Sequence, residues 1–376
     1  MPLSLINPQY RRDYRTSVPD SAPRQFHGTL PGYRPTALRP LPALAQRLGI
    51  GAIHLKDESD RFGLPAYKVL GAAWAACRLL RARYGLPDGT IETLGARARE
   101  DGIALLTATE GNHGRGVARV AQWLGLPADI YLPAGTARSR IEAIAGEGAS
   151  VIEVPGSYDD AVAAAARRAD GKHLLLQDQA WPGYEEIPAW IADGYDTILA
   201  EAEQQLSAAG EPPPDVVLVQ IGVGTLASAV IRHFRATGRT HYPVLVGVEP
   251  DGAACGLRSV AAGAPVSFEA GAHSSIMAGL NCGTPSTAAF PLLRDGIQGF
   301  IAIDDFRVRE AMRALAVEGV RAGASGAAGI GGLIELMQLE EERRALGIGA
   351  STRILAISTE GPTEPLLWAE TTGMAP

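Results

Sequence analysis

This chain has few cysteines, histidines and aromatic residues. Its three cysteines, Cys77, Cys255 and Cys282, include no C-x-x-C pair, and its seven histidines show no H-x-x-x-H or H-E-x-x-H spacing. The usual signatures of a zinc site are therefore missing, and no metal is expected. Each cysteine reads as a small buried apolar residue. A pairing of Cys255 with Cys282 stays open, though a reducing cytoplasm opposes it. No run of Lys or Arg builds a basic patch, and the formal net charge is -7, which argues against a nucleic-acid surface. No apolar stretch is long enough to span a membrane. The N-terminus, MPLSLINPQYRRDYR, lacks the basic-then-apolar order of a signal peptide, so a cytoplasmic chain is expected. No internal repeats or low-complexity tracts are found.

What is present is a globular composition. The 376 residues are 46% hydrophobic and 20% charged, enough for two domains with a core that needs no disulfide. The first fifty residues, rich in Pro, Arg and Tyr, read as an ordered arm that wraps the body. A strand fits 51–55 and a helix 71–82; the segment 85–100 reads as a polar connection with at most a short helix. Strands at 103–108, 128–132, 150–154 and 173–176 then alternate with helices near 117–124, 137–145 and 159–169. Short elements with tight connections predict a mostly parallel sheet. A long helix is expected over 187–206, stopped by Pro212, Pro213 and Pro214. Strands follow at 216–221 and 244–248, then a loop-rich stretch 251–300. A helix over 305–321, a glycine-rich ASGAAGIGGL, a last helix and a strand at 353–357 complete an α/β chain with two sheets.

Three stretches carry chemistry. In GVGTLAS, 222–228, glycines between a strand and a helix let backbone N–H groups converge on an anion at a helix N-terminus. By itself the motif fits a phosphate group, a dinucleotide with Glu249 as its ribose acid, or a tight turn that binds nothing. In KDESDRFGLPAYKVLGAA, 56–73, Lys68 opens a helix among Tyr67, Val69 and Leu70. Apolar surroundings disfavour the ammonium, so a lowered pKa and a nucleophilic amine able to form a Schiff base are expected. In TATEGNHGRG, 107–116, a strand delivers polar groups to its C-terminal end, where α/β ligands bind. Asn112 can donate to a phenolic or carbonyl oxygen. Gly111 and Gly114 let backbone N–H groups approach a carboxylate. His113 reads as a packing histidine or as part of that substrate pocket.

An activated lysine, an Asn-bearing turn and a phosphate-cradling loop together resemble pyridoxal phosphate (PLP) enzymes of fold type II, the tryptophan-synthase-β type. A dinucleotide would leave Lys68 and Asn112 unexplained. The segments KDESDRFGLPAYK, TATEGNHGRGVA, QDQAWPGYEEIPAWIADGY, SIMAGLNCG, ASGAAGIGGL and STEGPT narrow the resemblance to the diaminopropionate ammonia-lyases over about residues 8 to 368. The QDQAWPGYEEIPAW segment is specific, because plain threonine dehydratases lack it.

That resemblance implies a large PLP-binding domain at 1–78 and 193–376, with the arm at 1–45, and a small α/β domain at 79–192. It implies Lys68 as the cofactor lysine beside Tyr67, and Asn112 facing the cofactor's 3′ oxygen. Gly222, Val223, Gly224, Thr225 and Leu226 would hold its phosphate, and Ser358, with Thr359 next, would face its pyridine nitrogen. Gly111, His113, Gly114 and Ser275 would line the substrate pocket. Asp178 and Glu110 would be the catalytic acids, Glu110 standing where the family usually carries Asp. The implied reaction is α,β-elimination of 2,3-diaminopropionate, through aminoacrylate, to pyruvate and two ammonia. The alternatives are a related lyase or dehydratase on serine or threonine, and a β-replacing transferase. A homodimer is implied.

Overall fold

The computed structural model describes residues 4–109, 111–268 and 275–375, so Glu110 lies outside the described residues. The strands are β1 Ser4–Ile6, β2 Leu38–Pro40, β3 Ala52–Asp57, β4 Ala104–Ala108, β5 Ala128–Pro133, β6 Ser150–Val154, β7 His173–Leu175, β8 Val216–Gln220, β9 Val244–Pro250, β10 Gly299–Ile303 and β11 Arg353–Ser358. The chain divides into two units. One comprises the described residues up to Asp20, Pro35–Ala66, and those from Asp196 on; the other comprises Ser21–Arg34 and Tyr67–Tyr195.

The first unit holds a seven-stranded sheet in the order β1-β10-β9-β8-β11-β3-β2. Its five inner strands run parallel, whereas β1 and β2 pair antiparallel with β10 and β3. Both edges are thus closed by short pieces of the N-terminal arm, which protects exposed ladder groups. Strands β8 to β11 are largely apolar runs, as a sheet covered on both faces requires, whereas β3, AIHLKD, carries His54, Lys56 and Asp57. The sequence KDES ends β3 in a buried charge network. Lys56 Nζ donates to Glu201 at 2.7 Å, and Arg61 donates to Glu201 at 2.8 Å and to Glu58 at 2.7 Å. All four side chains are at most 1% exposed, and the two cations balance the two carboxylates. The network ties 56–61, the segment that leads toward Lys68, to the helix Glu186–Ala208.

The second unit holds the four-stranded parallel sheet β6-β5-β4-β7. The helix Lys68–Tyr84 packs on the helix Asn112–Leu124. A Cβ at Gly116 would come within 2.9 Å of Val69 N and 3.1 Å of the Lys68 carbonyl carbon, so that glycine sets how closely the second helix approaches the lysine's backbone.

Two expectations need correction. The stretch 251–300 contains the helices Cys255–Ala262 and Phe290–Gly296 and the start of β10. ASGAAGIGGL does not lead into a helix but lies within one, Ala324–Leu336. A Cβ at Gly332 would sit 2.4 Å from a Val248 methyl, and one at Gly331 would sit 2.7 Å from Ile303 Cδ1. Close packing on the sheet overrides the glycines' poor helix propensity.

Candidate active site

The second unit gathers Lys68, Asn112, His113, Asp178 and two tyrosines. Lys68 is the first residue of its helix, and its Nζ donates to Asp178 Oδ2 at 2.6 Å. Asp178 is held by its own segment. Gln177 Oε1 accepts from Thr107 Oγ1 at 2.9 Å and Ala108 N at 3.0 Å, at the end of β4. Trp181 and Tyr184 stack at 4.4 Å, and the Tyr184 hydroxyl donates to Leu175 O and accepts from Gln177 N. The QDQAWPGYE sequence is therefore a clamp that aims one carboxylate at the lysine.

The ionisation of the pair corrects the expected lowering of the Lys68 pKa. Burial does disfavour its ammonium, but the Asp178 carboxylate outweighs that and holds Lys68 well above its ordinary value. Burial likewise opposes the Asp178 charge, and Lys68, then His113, holds it well below the usual carboxylate range. Local apolar neighbours could not reveal this, because the partner lies 110 positions away.

His113 is buried and lowered, mainly by burial. Its Nε2 bonds Leu176 O at 2.7 Å, which fixes Nε2 as the protonated nitrogen of the neutral ring. Nδ1 then faces Asp178 Oδ2 at 3.9 Å without a hydrogen bond. Asn112 opens its helix. The Gly111 and Gly114 N–H groups, expected to face a carboxylate, donate to the Thr109 hydroxyl at 3.0 and 3.3 Å. Thr109 was not singled out from the sequence; its signal was a hydroxyl residue just before the turn. Tyr67 packs edge-on against Tyr195 at 4.7 Å, and Lys68 Nζ lies 5.5 Å from the Tyr67 ring centre.

The first unit carries the anion cradle and the last-strand hydroxyls. Gly224 has φ 98°, and a Cβ there would sit 2.8 Å from the Ala289 Cβ, so only glycine suits it. At Gly222 a Cβ would come within 3.1 Å of Cys282 Sγ and the Gly279 carbonyl oxygen. Between them lies Val223, and Thr225 and Leu226 begin the helix Thr225–Phe234, whose first-turn N–H groups have no partner within the helix. Cys255 Sγ bonds the Gly222 carbonyl at 3.6 Å. Cys255 and Cys282 are free thiols, which answers the open question of their pairing. Glu249, the acid a dinucleotide would need, is fully buried and accepts from Gly256 N and Leu257 N at 2.7 Å each, and burial pushes its carboxyl up to about 7. It caps a helix instead.

At the end of β11, Ser358 is fully buried and, among the described residues, its hydroxyl donates only a long 3.5 Å bond to Glu360 O. The Thr359 hydroxyl is occupied, accepting from Gln220 Nε2 at 3.0 Å and donating to Ser325 O at 3.3 Å. Ser275 donates to Asp305 at 2.6 Å and so anchors the SIMAGLNCG loop. Among the described residues no group of three His, Cys, Asp or Glu side chains could hold a metal, and no helix is long and apolar enough to cross a membrane.

Comparison with known proteins shows the family. The family described as pyridoxal-phosphate dependent enzyme matches residues 29–360. Diaminopropionate ammonia-lyase of Salmonella typhimurium is 40% identical over 362 residues, which cover 92% of this chain and 89% of that protein. The crystal structure of diaminopropionate ammonia lyase from Escherichia coli in complex with an aminoacrylate-PLP azomethine reaction intermediate superposes with a TM-score of 0.89 at 35% identity, covering 98% of this chain and 96% of that one. The same enzyme in complex with D-serine gives the same TM-score, identity and coverage. The chain has the fold-type II architecture and belongs to the pyridoxal-phosphate dependent enzymes and, among them, to the diaminopropionate ammonia-lyases.

Proposed function

We propose that the protein uses pyridoxal phosphate to eliminate ammonia from 2,3-diaminopropionate, giving pyruvate and two ammonia. The observation that carries this reading is the 2.6 Å contact between Lys68 Nζ and the Asp178 carboxylate, supplied by the family-specific segment. The residues present fit the cofactor. Its phosphate suits the 222–226 turn, where side chains are excluded at Gly222 and Gly224 and a helix begins at Thr225. Ser358, whose hydroxyl has only a weak partner, suits the pyridine nitrogen better than the occupied Thr359. Asn112 suits the 3′ oxygen. Bound there, the cofactor supplies an electron sink for charge developing at the substrate's Cα.

The chain's own residues do the rest. Lys68 would hold the cofactor through Nζ, and its amine, when not so bonded, would serve as a base beside the reacting carbon. While Nζ is bonded to the cofactor or is a neutral base, Asp178 would have no lysine ammonium to pair with. The substrate's β-ammonium carries the same charge and takes the vacated place by charge-assisted hydrogen bonding. A serine hydroxyl carries no charge and cannot restore the balance. Asp178 would thus select diaminopropionate over serine, and by keeping the β-nitrogen protonated it would let that nitrogen leave as neutral ammonia. Ser358 does not keep the pyridine nitrogen protonated as a carboxylate would, which favours prompt elimination over transamination. The protein acts as a cytoplasmic homodimer in this reading.

The test is pyruvate release from D- and L-diaminopropionate, D- and L-serine, and threonine. Diaminopropionate should lead by at least about tenfold, the least expected of one charge-assisted bond. Equal rates from serine or threonine would make the protein a dehydratase, and an amino-acid product formed with added sulfide would make it a β-replacing transferase.

A further inference from the structure

Among the described residues Lys68 donates one hydrogen bond, to Asp178. An ammonium has three N–H donors to place. Next to it stands a hydroxyl with the opposite need. Tyr195 is fully buried, its ring centre lies 5.9 Å from Lys68 Nζ, and among the described residues its hydroxyl completes no hydrogen bond. Buried tyrosine hydroxyls usually find a partner. The Lys68 side chain is about 22% exposed, whereas the Tyr195 hydroxyl is shut off from water and has the lysine as its neighbouring cation.

The ring's position is built in. Gly71 follows Lys68 by one helical turn, and a Cβ there would fall 2.6 Å from Tyr195 Cε1 and 2.6 Å from Ile191 Cγ2. Gly194 precedes Tyr195, and a Cβ there would fall 2.7 Å from the Leu70 carbonyl oxygen and 2.8 Å from the Gly71 Cα. Two mid-helix glycines, each unfavourable for its helix, let the backbones touch at this crossing. Tyr67 closes the far side of the ring edge-on, with the two rings at 68°. Burial raises the Tyr195 phenol well above its ordinary value, and the Lys68 charge is the main influence that opposes it. Tyr195 therefore stays protonated, able both to accept from an ammonium and to donate to a free amine.

We propose that Tyr195 is a positioning residue for Lys68: its hydroxyl is the second hydrogen-bonding partner of the Lys68 amine and holds that amine in place when Asp178 turns to the substrate. The second half of this statement rests on the reading of Lys68 and Asp178 given above; the first half does not. Asp178 and Tyr195 approach Nζ from different elements, the loop after β7 and the helix Glu186–Ala208. When a β-ammonium occupies Asp178, Tyr195 keeps Nζ directed. When Nζ is neutral, the hydroxyl donates to it and steadies its lone pair.

The sequence makes a self-controlled test possible, because the chain has three lysines: Lys56, Lys68 and Lys172. Lys56 is fully buried and Lys172 is exposed. The full chain, freed of cofactor, is labelled with acetic anhydride at one mildly alkaline pH, and each lysine peptide is quantified by mass. Tyr195→Phe keeps the ring and removes the acceptor that favours the Lys68 ammonium. The Lys68 to Lys172 labelling ratio should rise about tenfold, which corresponds to one pKa unit. Lys56 should stay unlabelled, which certifies the fold; labelling of Lys56 would move the test to Tyr195→Leu, which keeps a buried apolar side chain without the hydroxyl and adds no bulk at the glycine crossing. An unchanged ratio in a folded variant overturns the proposal. In the holoenzyme acting on diaminopropionate, kcat should fall at least about tenfold with KM little changed, as expected for a group that acts after binding. A shifted labelling ratio with unchanged kcat would refute the positioning role. If the wild type shows no diaminopropionate activity, the proposed reaction fails, while the labelling ratio still decides whether Tyr195 partners Lys68.

Discussion

Replacing Asp178 by asparagine separates its two proposed duties, because one is common to every substrate and the other is not. The side chain is about 9% exposed and contacts Lys68 at 2.6 Å, so its charge acts in a largely water-free place. Asparagine keeps the volume and one acceptor oxygen but removes the charge. Whatever this does to Lys68 applies equally to diaminopropionate and serine, and it cancels in the ratio of their kcat/KM values. What remains is the partner of the β-substituent. A hydrogen bond to a charged group contributes about 1.5–3 kcal/mol, and leaving a buried ammonium unpaired costs roughly 3–5 kcal/mol. A central value near 3 kcal/mol corresponds to a change of about a hundredfold. Serine offers a neutral hydroxyl that an amide can also accept, so its loss on this account is small. Pyruvate release coupled to lactate dehydrogenase gives kcat/KM for both substrates with both enzymes. The preference for diaminopropionate should fall about a hundredfold in Asp178→Asn. Equal losses on the two substrates would show that Asp178 serves Lys68 alone and does not read the β-ammonium.

Other consequences are equally specific. Borohydride reduction of the coloured protein should fix the cofactor on Lys68, and peptide mass mapping that finds the adduct on Lys56 or Lys172 would refute that assignment. Gly224→Ala forces a side chain into a φ 98° conformation against Ala289; roughly 1–3 kcal/mol of stability should be lost and cofactor affinity should drop at least about tenfold, read by denaturation and by cofactor titration. His233 is buried, which opposes its charge, yet hydrogen bonds at 2.7 Å to Asp196 and 2.9 Å to Glu203 raise it to about 9. A raised pKa adds stability that is complete below the ordinary value of 6.5 and is lost as pH rises through about 9, so urea denaturation should show a fall on the order of 3 kcal/mol across that window. The part of the fall due to this residue should vanish in His233→Gln; a variant with the wild-type pH slope would rule the clamp out. Glu110 is one methylene longer than the family's Asp, and a displacement near 1 Å can cost about a hundredfold in rate. The wild type should therefore favour one stereoisomer and Glu110→Asp should narrow the gap; equal rates for both isomers on both enzymes would remove Glu110 from stereochemical control.

Much of the fold is local and could be read locally. The four strands β4 to β7 and the helices Arg138–Ala145 and Tyr158–Arg168 lie within one or two residues of expectation, whereas the helix Asn112–Leu124 begins five residues before the expected 117. The stretch 251–300 was less legible, because β10 is five residues long and its helices are brief. ASGAAGIGGL misleads by propensity, since what makes it helical is a sheet that tolerates no Cβ at Gly331 or Gly332. The site follows the same division. Lys68, Asn112 and the 222–226 turn are candidates by residue type and neighbours, and Asp178 only through the family resemblance. Their interactions are not legible in that way. The lysine's ionisation depends on a carboxylate distant in sequence, the Thr109 hydroxyl takes the N–H groups assigned to a ligand, and Tyr195 reaches Lys68 through a glycine crossing that no periodicity reveals.

The most direct measurement is the ratio of ammonia to pyruvate released by the purified protein from 2,3-diaminopropionate. Elimination of the β-nitrogen followed by hydrolysis of the remaining enamine yields two ammonia for each pyruvate, and that ratio is expected. One ammonia per pyruvate, or ammonia without pyruvate, would contradict the account.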